Sequence, residues 1–129
     1  MLFVGAPMTN IRDGDTFVNS WWDWSVYNDC FEPTKIRISD IDGIVERRGH
    51  FLWIECKRPG EIITKGQEIM HSALTKNGSF TVLILWGEVD SPIKYKCISE
   101  KGNIKEESGI GTDYIKQLIK RWFLWANIE

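Results

Sequence analysis

The stretch that decides the fold reads KIRISDIDGIVERRGHFLWIECKRPG and covers residues 35–60. It is rich in β-branched and aromatic residues, which favour strands. Its two halves meet at Arg48-Gly49, a pair that suits a two-residue hairpin turn. The stretch therefore predicts two paired antiparallel strands, residues 35–47 and residues 50–57.

The next segment predicts a helix and then a buried strand. Pro59-Gly60 ends the hairpin, and Asn77-Gly78 supplies a C-terminal stop for the helix. The run FTVLILW, residues 80–86, is continuously apolar, as expected for a strand buried on both faces in the middle of a sheet. A helix between two strands predicts a crossover connection onto the sheet of the hairpin. The helical stripe consists of Ile62, Ile63, Gly66, Ile69, Met70, Ala73 and Leu74.

Both ends of the chain are interpreted from the same patterns. The aromatic segment SWWDWSVYNDCF predicts a short helix that opens at Ser20 as N-cap and ends before Pro33. Residues 94–99 alternate like an edge strand, and residues 101–111, KGNIKEESGIG, have the composition of a surface loop. Thr112 is predicted to cap a last helix. Its apolar stripe consists of Ile115, Leu118, Ile119 and Trp122, with Lys116, Lys120 and Arg121 outside it.

Length and composition restrict the class of protein. The chain has 129 residues, of which 43% are apolar and 26% charged, which suits a single α/β domain over residues 1–129. No apolar run is long enough to span a membrane, and the opening MLFVGAPMTN lacks the order of a signal peptide. We therefore expect a cytoplasmic protein with no membrane partner. Three scattered cysteines and two histidines argue against a zinc site or a disulfide framework.

A patch of ionisable side chains is predicted on the hairpin. Glu55 and Lys57 are two residues apart in a strand, so their side chains leave the same face, whereas Cys56 points the other way. With the turn at Arg48-Gly49, Asp42 would lie opposite Glu55, and Asp40 opposite Lys57. Asp40 either orients the ligands or serves as an alternative ligand, or it is a solvated residue at the edge of the strand.

The chemistry of this patch indicates a metal site. Neighbouring carboxylates repel each other unless a cation lies between them, and such oxygen ligands favour Mg²⁺ or Mn²⁺. A divalent ion held among these carboxylates would lower the pKa of a bound water and neutralise charge on a phosphoryl oxygen. Lys57 would position that water or stabilise the transition state. Hydrolysis of a phosphodiester bond is the reaction that this set of groups suits.

The sequence here resembles the PD-(D/E)xK nuclease superfamily. The matching residues are Asp42 in SDIDGIVE and Glu55 and Lys57 in LWIECKRP, and the resemblance covers residues 36–86. It implies a mixed central sheet flanked by helices, with the α-β-β-β-α-β order of the restriction-endonuclease-like core. It also implies that Asp42, Glu55 and the backbone carbonyl of Cys56 bind the metal. Gln67 resembles a glutamine that some branches carry on the following helix.

The chain departs from the family pattern at several positions. Ile41 stands where proline often precedes the aspartate, and His71 stands where some branches have a tyrosine. His71 is interpreted as structural, and Gln67 as either a site residue or an ordinary helix residue. An acidic residue that some members carry on the first helix has only candidates in this chain. These candidates are Asp23, Asp29 and Glu32.

The resulting hypothesis is a Mg²⁺-dependent nuclease that cleaves DNA and leaves a 5′-phosphate and a 3′-hydroxyl, with a homodimer or a partner protein as a further expectation. The alternative is an inactive protein of the nuclease fold that binds nucleic acid or another protein. A sugar or acyl hydrolase with paired carboxylates would give Lys57 no task. The seven tryptophans are either core residues or platforms for unpaired bases. Arg47, Arg48, Arg58, Lys116, Lys120 and Arg121 either contact phosphates or are solvated.

Overall fold

The computed structural model describes residues 22–129. The chain separates into two compact units, with the boundary between Asp42 and Gly43, and the described part of the first unit is residues 22–42. Ser20, the predicted N-cap of the aromatic helix, lies outside the described residues. No helix within the described residues has both the length and the apolar character needed to cross a membrane.

The described part of the first unit contains a 3₁₀ helix, Trp24–Phe31. The short aromatic helix is thus confirmed as a 3₁₀ helix, and its N-cap is Asp23, whose carboxylate accepts hydrogen bonds from the backbone N–H and the hydroxyl of Ser25. Asp40 follows in an extended segment, and its carboxylate accepts a 2.8 Å hydrogen bond from the indole N–H of Trp24. The hydrogen bond from Trp24 to Asp40 thus connects the 3₁₀ helix with the extended segment that follows it.

The second unit is an α/β structure with a five-stranded mixed sheet in the order β1-β2-β3-β4-β5. Strands β2 and β3 are parallel, and the other neighbouring pairs are antiparallel. The predicted crossover through a helix between β2 and β3 is therefore confirmed. The elements are β1 (Gly43–Arg47), β2 (His50–Lys57), α1 (Lys65–Lys76), β3 (Phe80–Glu88), β4 (Ser91–Ile98), β5 (Ile104–Ser108) and α2 (Thr112–Ile128).

The order of elements differs from the predicted core. Two strands, rather than three, precede α1 in the described residues, so the α-β-β-β-α-β order is not confirmed. The first predicted strand, residues 35–47, is wrong for its first eight residues, because β1 begins only at Gly43. The alternating side chains Ile36 and Ile38 are 61% and 40% exposed. Alternation predicts a strand only where one face is buried, and that condition fails here.

The hairpin turn is as predicted, and so is the register within β1, but the predicted pairs of Asp42 with Glu55 and of Asp40 with Lys57 are not formed, because the ladder ends at Gly43. Arg48 and Gly49 have φ values of 53° and 84°, as a two-residue turn with two positive φ angles requires. The paired residues run from Arg47 opposite His50 to Gly43 opposite Ile54. The second predicted strand, residues 50–57, agrees with β2 at both ends. Local turn chemistry is thus sufficient to set the pairing of these two strands.

Helix α1 is confirmed, although its buried face differs from the predicted stripe. The Thr64 side chain caps its N-terminus, and Gly78, with φ 86°, follows its C-cap Asn77. The helix packs on one face of the sheet beside the buried side chains Val82, Ile84 and Trp86. Its own buried residues are His71 and Thr75. Of the predicted stripe, Leu74 and Ile63 pack against this cluster, whereas Ile69 is 61% exposed and Ile62 precedes the helix.

Helix α2 covers the other face of the sheet. The buried residues Leu52, Leu83 and Tyr95 pack there against Ile115 and Trp122 of the helix. The predicted stripe of α2 is confirmed, since Leu118 and Ile119 are packed against the same cluster. Lys116, Lys120 and Arg121 are exposed, as predicted. Strand β3 contributes to both faces, which agrees with its prediction as a doubly buried central strand.

The region before α2 requires three corrections. Residues 94–99 were predicted as an edge strand, but β4 lies between β3 and β5. The predicted loop, residues 101–111, contains the edge strand β5. Glu107 of β5 accepts hydrogen bonds from the hydroxyls of Tyr95 and Tyr114, which lower its pKa. The N-cap of α2 is Gly111 rather than Thr112, whose hydroxyl instead donates to the Asp90 carbonyl.

Gly87 occupies a position that excludes a side chain. A Cβ atom there would lie 2.2 Å from the Ser91 carbonyl oxygen and 2.8 Å from the Pro92 Cα, which are backbone atoms that cannot rotate away. We expect Gly87→Ala to lower the free energy of unfolding by at least about 1–3 kcal/mol, the usual cost of overpacking. Gly66→Ala is the control, because nothing lies within 4 Å of its Cβ position and alanine favours the helix. Urea denaturation should separate the two variants, and equal stabilities would contradict the prediction.

Candidate active site

Two charged side chains of β2 lie together beneath α1. Glu55 and Lys57 point to the same face of the sheet, and the Lys57 ammonium is 3.8 Å from Oε2 of Glu55. The Lys57 side chain is only 2% exposed, and the Glu55 side chain is 17% exposed. The structure therefore brings together the two residues of the predicted Glu-x-Lys pair in a place that is nearly closed to water.

Glu61 adds a second carboxylate to this pair. Its Oε2 lies 3.6 Å from the Lys57 ammonium, so Lys57 stands between two carboxylates. The turn at Pro59-Gly60 reverses the chain, and the Arg58 N–H donates to Oε1 of Glu61 at 2.9 Å. This hydrogen bond, together with the positive charge of Lys57, lowers the pKa of Glu61. The sequence analysis missed Glu61; the signal was its position four residues after Lys57, across the turn.

His71 of α1 is the third group that contacts this pair. Its Nε2 lies 2.9 Å from Oε1 of Glu55, where a protonated Nε2 donates to the carboxylate. His71 is 2% exposed, and the hydroxyl of Thr75 donates to its backbone carbonyl. The sequence predicted a structural His71, and its contact with Glu55 was missed. The available signal was the crossover, which places α1 over the face of β2 that carries Glu55.

The second carboxylate oxygen of Glu55 has no hydrogen-bond partner among residues 22–129, although it is buried. The Lys57 ammonium at 3.8 Å is too distant for a hydrogen bond. Buried polar atoms are nearly always partnered, so a buried carboxylate oxygen of this kind is available to a water or a cation. This oxygen is the feature of the site that most directly suits metal binding.

The remaining predicted residues are distributed as follows. Gln67 forms the capping box of α1, in which its Oε1 accepts from the Thr64 N–H at 2.9 Å and its backbone N–H donates to Thr64 Oγ1. The side chain of Cys56 is exposed. Asp42 is the last residue of the first unit, and Asp40, the predicted alternative ligand, binds Trp24. Within residues 22–129, no three His, Cys, Asp or Glu side chains form a group that could hold a metal ion.

A cleft of about 440 Å³ lies beside these charges, at the carboxyl ends of the parallel strands β2 and β3. Lys57 and Glu61 belong to one wall, and Trp86 and Pro92 belong to the other. The indole N–H of Trp86 donates a 2.6 Å hydrogen bond to the Glu61 carbonyl, which connects the two walls. The cleft gives a small molecule or one unit of a polymer access to the Lys57 end of the site.

Comparison of this chain with known proteins finds no relative. No family model, curated protein or solved structure matches this chain. The resemblance to the PD-(D/E)xK superfamily is therefore limited to the sequence pattern of Asp42, Glu55 and Lys57.

The arrangement brings a carboxylate oxygen and an ammonium group close together in a largely buried place. Glu55 offers a buried oxygen that accepts no hydrogen bond from residues 22–129, and Lys57 offers a positive charge next to it. Fixed charges in a site with little water interact more strongly with developing charge than they would in solution. His71 holds the other oxygen of Glu55, which restricts the orientation of the carboxylate. This geometry can orient a cation and a water molecule toward a ligand in the cleft.

Proposed function

We propose that this protein is a metal-dependent nuclease of the PD-(D/E)xK type that hydrolyses phosphodiester bonds in DNA. The observation that carries the proposal is the buried Oε2 of Glu55, which accepts no hydrogen bond from residues 22–129 and lies 3.8 Å from the Lys57 ammonium. Such an oxygen beside a lysine is suited to bind a divalent cation and to share a water molecule with the amine. A purely structural ion pair would not need an open position on the carboxylate.

The proposed ligands of Mg²⁺ or Mn²⁺ are Glu55, the backbone carbonyl of Cys56 and Asp42. All three supply oxygen atoms, which these ions prefer. A set of two carboxylates and one carbonyl does not require the group of three side chains that residues 22–129 lack. The assignment of Asp42 rests on the sequence pattern. The ion would supply Lewis-acid stabilisation of a phosphoryl oxygen and a lower pKa for a bound water.

Lys57 is proposed to position the attacking water. Its side chain is held between Glu55 and Glu61, which restricts the ammonium to the region where the cleft meets the pair. The oxygen of the water would bond to phosphorus as the water gives up a proton to solvent. The bond from phosphorus to the 3′-oxygen would break and that oxygen would take up a proton from solvent, leaving a 5′-phosphate and a 3′-hydroxyl. Gln67 is proposed to support the site by holding the start of α1, through its capping box with Thr64.

The strands and the helix around Glu55 and Lys57 support the proposal. We propose that β1, β2, α1 and β3 correspond to the part of the restriction-endonuclease-like core that carries the Glu-x-Lys strand. The observations behind this correspondence are the hairpin register and the parallel pairing of β2 with β3 through α1. The second candidate is an inactive binding protein of the same fold. The engagement of the Gln67 amide oxygen in a helix cap favours this candidate, since the oxygen is then not directed at a metal.

The test of the nuclease proposal is cleavage of linear, nicked and branched DNA, and of RNA, by the purified protein with Mg²⁺ or Mn²⁺ and with EDTA. The nuclease is expected to cleave DNA only with the metal, and the metal is expected to raise the melting temperature. Asp42→Ala should abolish cleavage. The control variant Asp40→Ala should retain cleavage, because the Asp40 carboxylate accepts a hydrogen bond from Trp24. Absence of both cleavage and thermal stabilisation would favour the binding protein.

His71→Phe is expected to weaken Mg²⁺ binding by about tenfold to a hundredfold, the usual effect of removing a group that orients a metal ligand. Phenylalanine keeps a ring in the buried position but removes the donor to Oε1 of Glu55. His71→Gln can still donate and should recover part of the affinity. Titration of the melting temperature with Mg²⁺ measures the effect. Identical metal affinities of the wild type and the His71→Phe variant would show that His71 only fills space.

A further inference from the structure

Two lysines of β4 share a face of the sheet with the proposed site. Lys94 pairs with Trp86, which pairs with Lys57, so these residues form one row across three strands. Lys96 pairs with Ile84, which pairs with Glu55, in the neighbouring row. Residues in one cross-strand row point to the same face. The side chains of Lys94 and Lys96 therefore emerge on the face that carries Glu55 and Lys57.

Neither lysine forms a salt bridge within the described residues. No carboxylate of residues 22–129 lies within 4.0 Å of either ammonium. Glu106 of β5 is directly opposite Lys96, yet the pair forms no salt bridge. The Lys94 ammonium instead lies 4.6 Å from the centre of the Trp86 ring, which belongs to the wall of the cleft. At the edge of the proposed site there are thus two lysines that form no salt bridge with any carboxylate of residues 22–129.

The spacing of these charges suits a chain of phosphates. Neighbouring strands are about 4.8 Å apart, so the backbone of Lys94 is about 10 Å from that of Lys57, while Lys94 and Lys96 are about 7 Å apart along β4. Flexible lysine side chains cover such intervals and bind phosphates as point charges. Because the protein carries a net charge of −2, attraction of a polyanion depends on a local patch of this kind.

We propose that Lys94 and Lys96 bind the phosphates of a single nucleic-acid strand that crosses β4 and enters the cleft next to Lys57. This inference rests on the proposed nuclease function and specifies the path of its substrate. The cleft, at about 440 Å³, has the size of a pocket for one small ligand, which favours one nucleotide of a single strand over a base-paired duplex. Trp86 lies between Lys94 and Lys57 in this row and lines the cleft.

The test is the salt dependence of binding to a labelled single-stranded oligonucleotide in EDTA, where cleavage does not interfere. The logarithm of the affinity falls as the logarithm of the salt concentration rises, and each lost phosphate contact makes this slope less steep by about 0.7. The double variant Lys94→Gln/Lys96→Gln should therefore lose about 1.4 from the slope, with affinity roughly ten- to thirty-fold lower at 0.1 M salt. Lys105→Gln is the matched control, because Lys105 pairs with Cys97 and thus emerges on the face covered by α2.

Each outcome decides between the proposals. An unchanged slope in the double variant, an equal loss in Lys105→Gln, or no binding by the wild type would overturn the inference. A smaller slope in the double variant, together with a wild type that does not cleave, would support the binding surface and overturn the nuclease. Metal-dependent cleavage with an unchanged slope would do the reverse. Melting temperatures of all variants identify any loss caused by unfolding, and Lys94→Arg, which keeps the charge over Trp86, should retain the wild-type slope.

Discussion

Replacing Glu55 with glutamine is expected to reduce Mg²⁺-dependent cleavage by at least about a hundredfold. Loss of a group that only orients a metal ligand costs tenfold to a hundredfold, and loss of the ligand itself should cost more. Glutamine keeps the shape of the side chain, and its amide oxygen can still accept from His71, but it removes the negative charge beside Lys57. Initial rates of DNA cleavage against Mg²⁺ concentration measure the effect.

The matched control for this variant is Glu106→Gln. Glu106 lies in the same cross-strand row as Glu55, on the exposed edge strand β5, and forms no salt bridge within residues 22–129. Its replacement removes an equal charge from the same face of the sheet and should leave the dependence on Mg²⁺ unchanged. Undiminished cleavage by Glu55→Gln would refute the proposed role of Glu55, and an equal loss in Glu106→Gln would show a general effect of charge.

The second large effect concerns stability. The Lys57 side chain is 2% exposed, and Glu55→Leu removes one of its two partner carboxylates. Among residues 22–129, only the Glu61 carboxylate then lies within 4 Å of the Lys57 ammonium. Removing one partner of a buried ion pair costs about 3–5 kcal/mol, whereas replacing both partners by apolar residues is often neutral. The double variant Glu55→Leu/Lys57→Met should therefore unfold at higher urea concentration than Glu55→Leu. It should nevertheless show no cleavage, because both proposed site groups are missing.

The comparison with Lys57→Met completes this cycle. That single variant leaves the Glu55 carboxylate buried without its cation and should also be less stable than the double variant. The interaction energy from the four proteins measures how strongly the two side chains are coupled. If the two single effects simply add, the pair is not coupled, and the ion pair does not explain the burial of Lys57.

Several features of the fold follow from local chemistry. Arg48-Gly49 favours a turn with two positive φ angles, and that turn alone sets the register of β1 and β2. The alternation in β2 places Glu55 and Lys57 on one face. The continuous apolar run in β3 predicts its central position, because such a strand requires cover on both faces. These predictions succeed since each depends on residues that are adjacent in sequence.

Other features depend on partners that are distant in sequence. Strand β5 has the composition of a loop, and it becomes an edge strand because β4 supplies hydrogen bonds and Tyr95 supplies a partner for Glu107. The opposite error occurs in residues 35–42, where the alternation of a strand is present but Ile36 and Ile38 stay exposed. A local pattern cannot distinguish these two cases, because the pairing partner decides each of them.

The candidate site shows the same division. From the sequence alone, Glu55 and Lys57 are neighbours on one face of a strand, because side chains alternate with a period of two. Only the tertiary structure brings His71 to one oxygen of Glu55, leaves the other oxygen without a donor from residues 22–129, and buries Lys57 between two carboxylates. The physical reason is that the packing of α1 on the sheet and the turn before it determine these contacts, and no local periodicity encodes the distance between them.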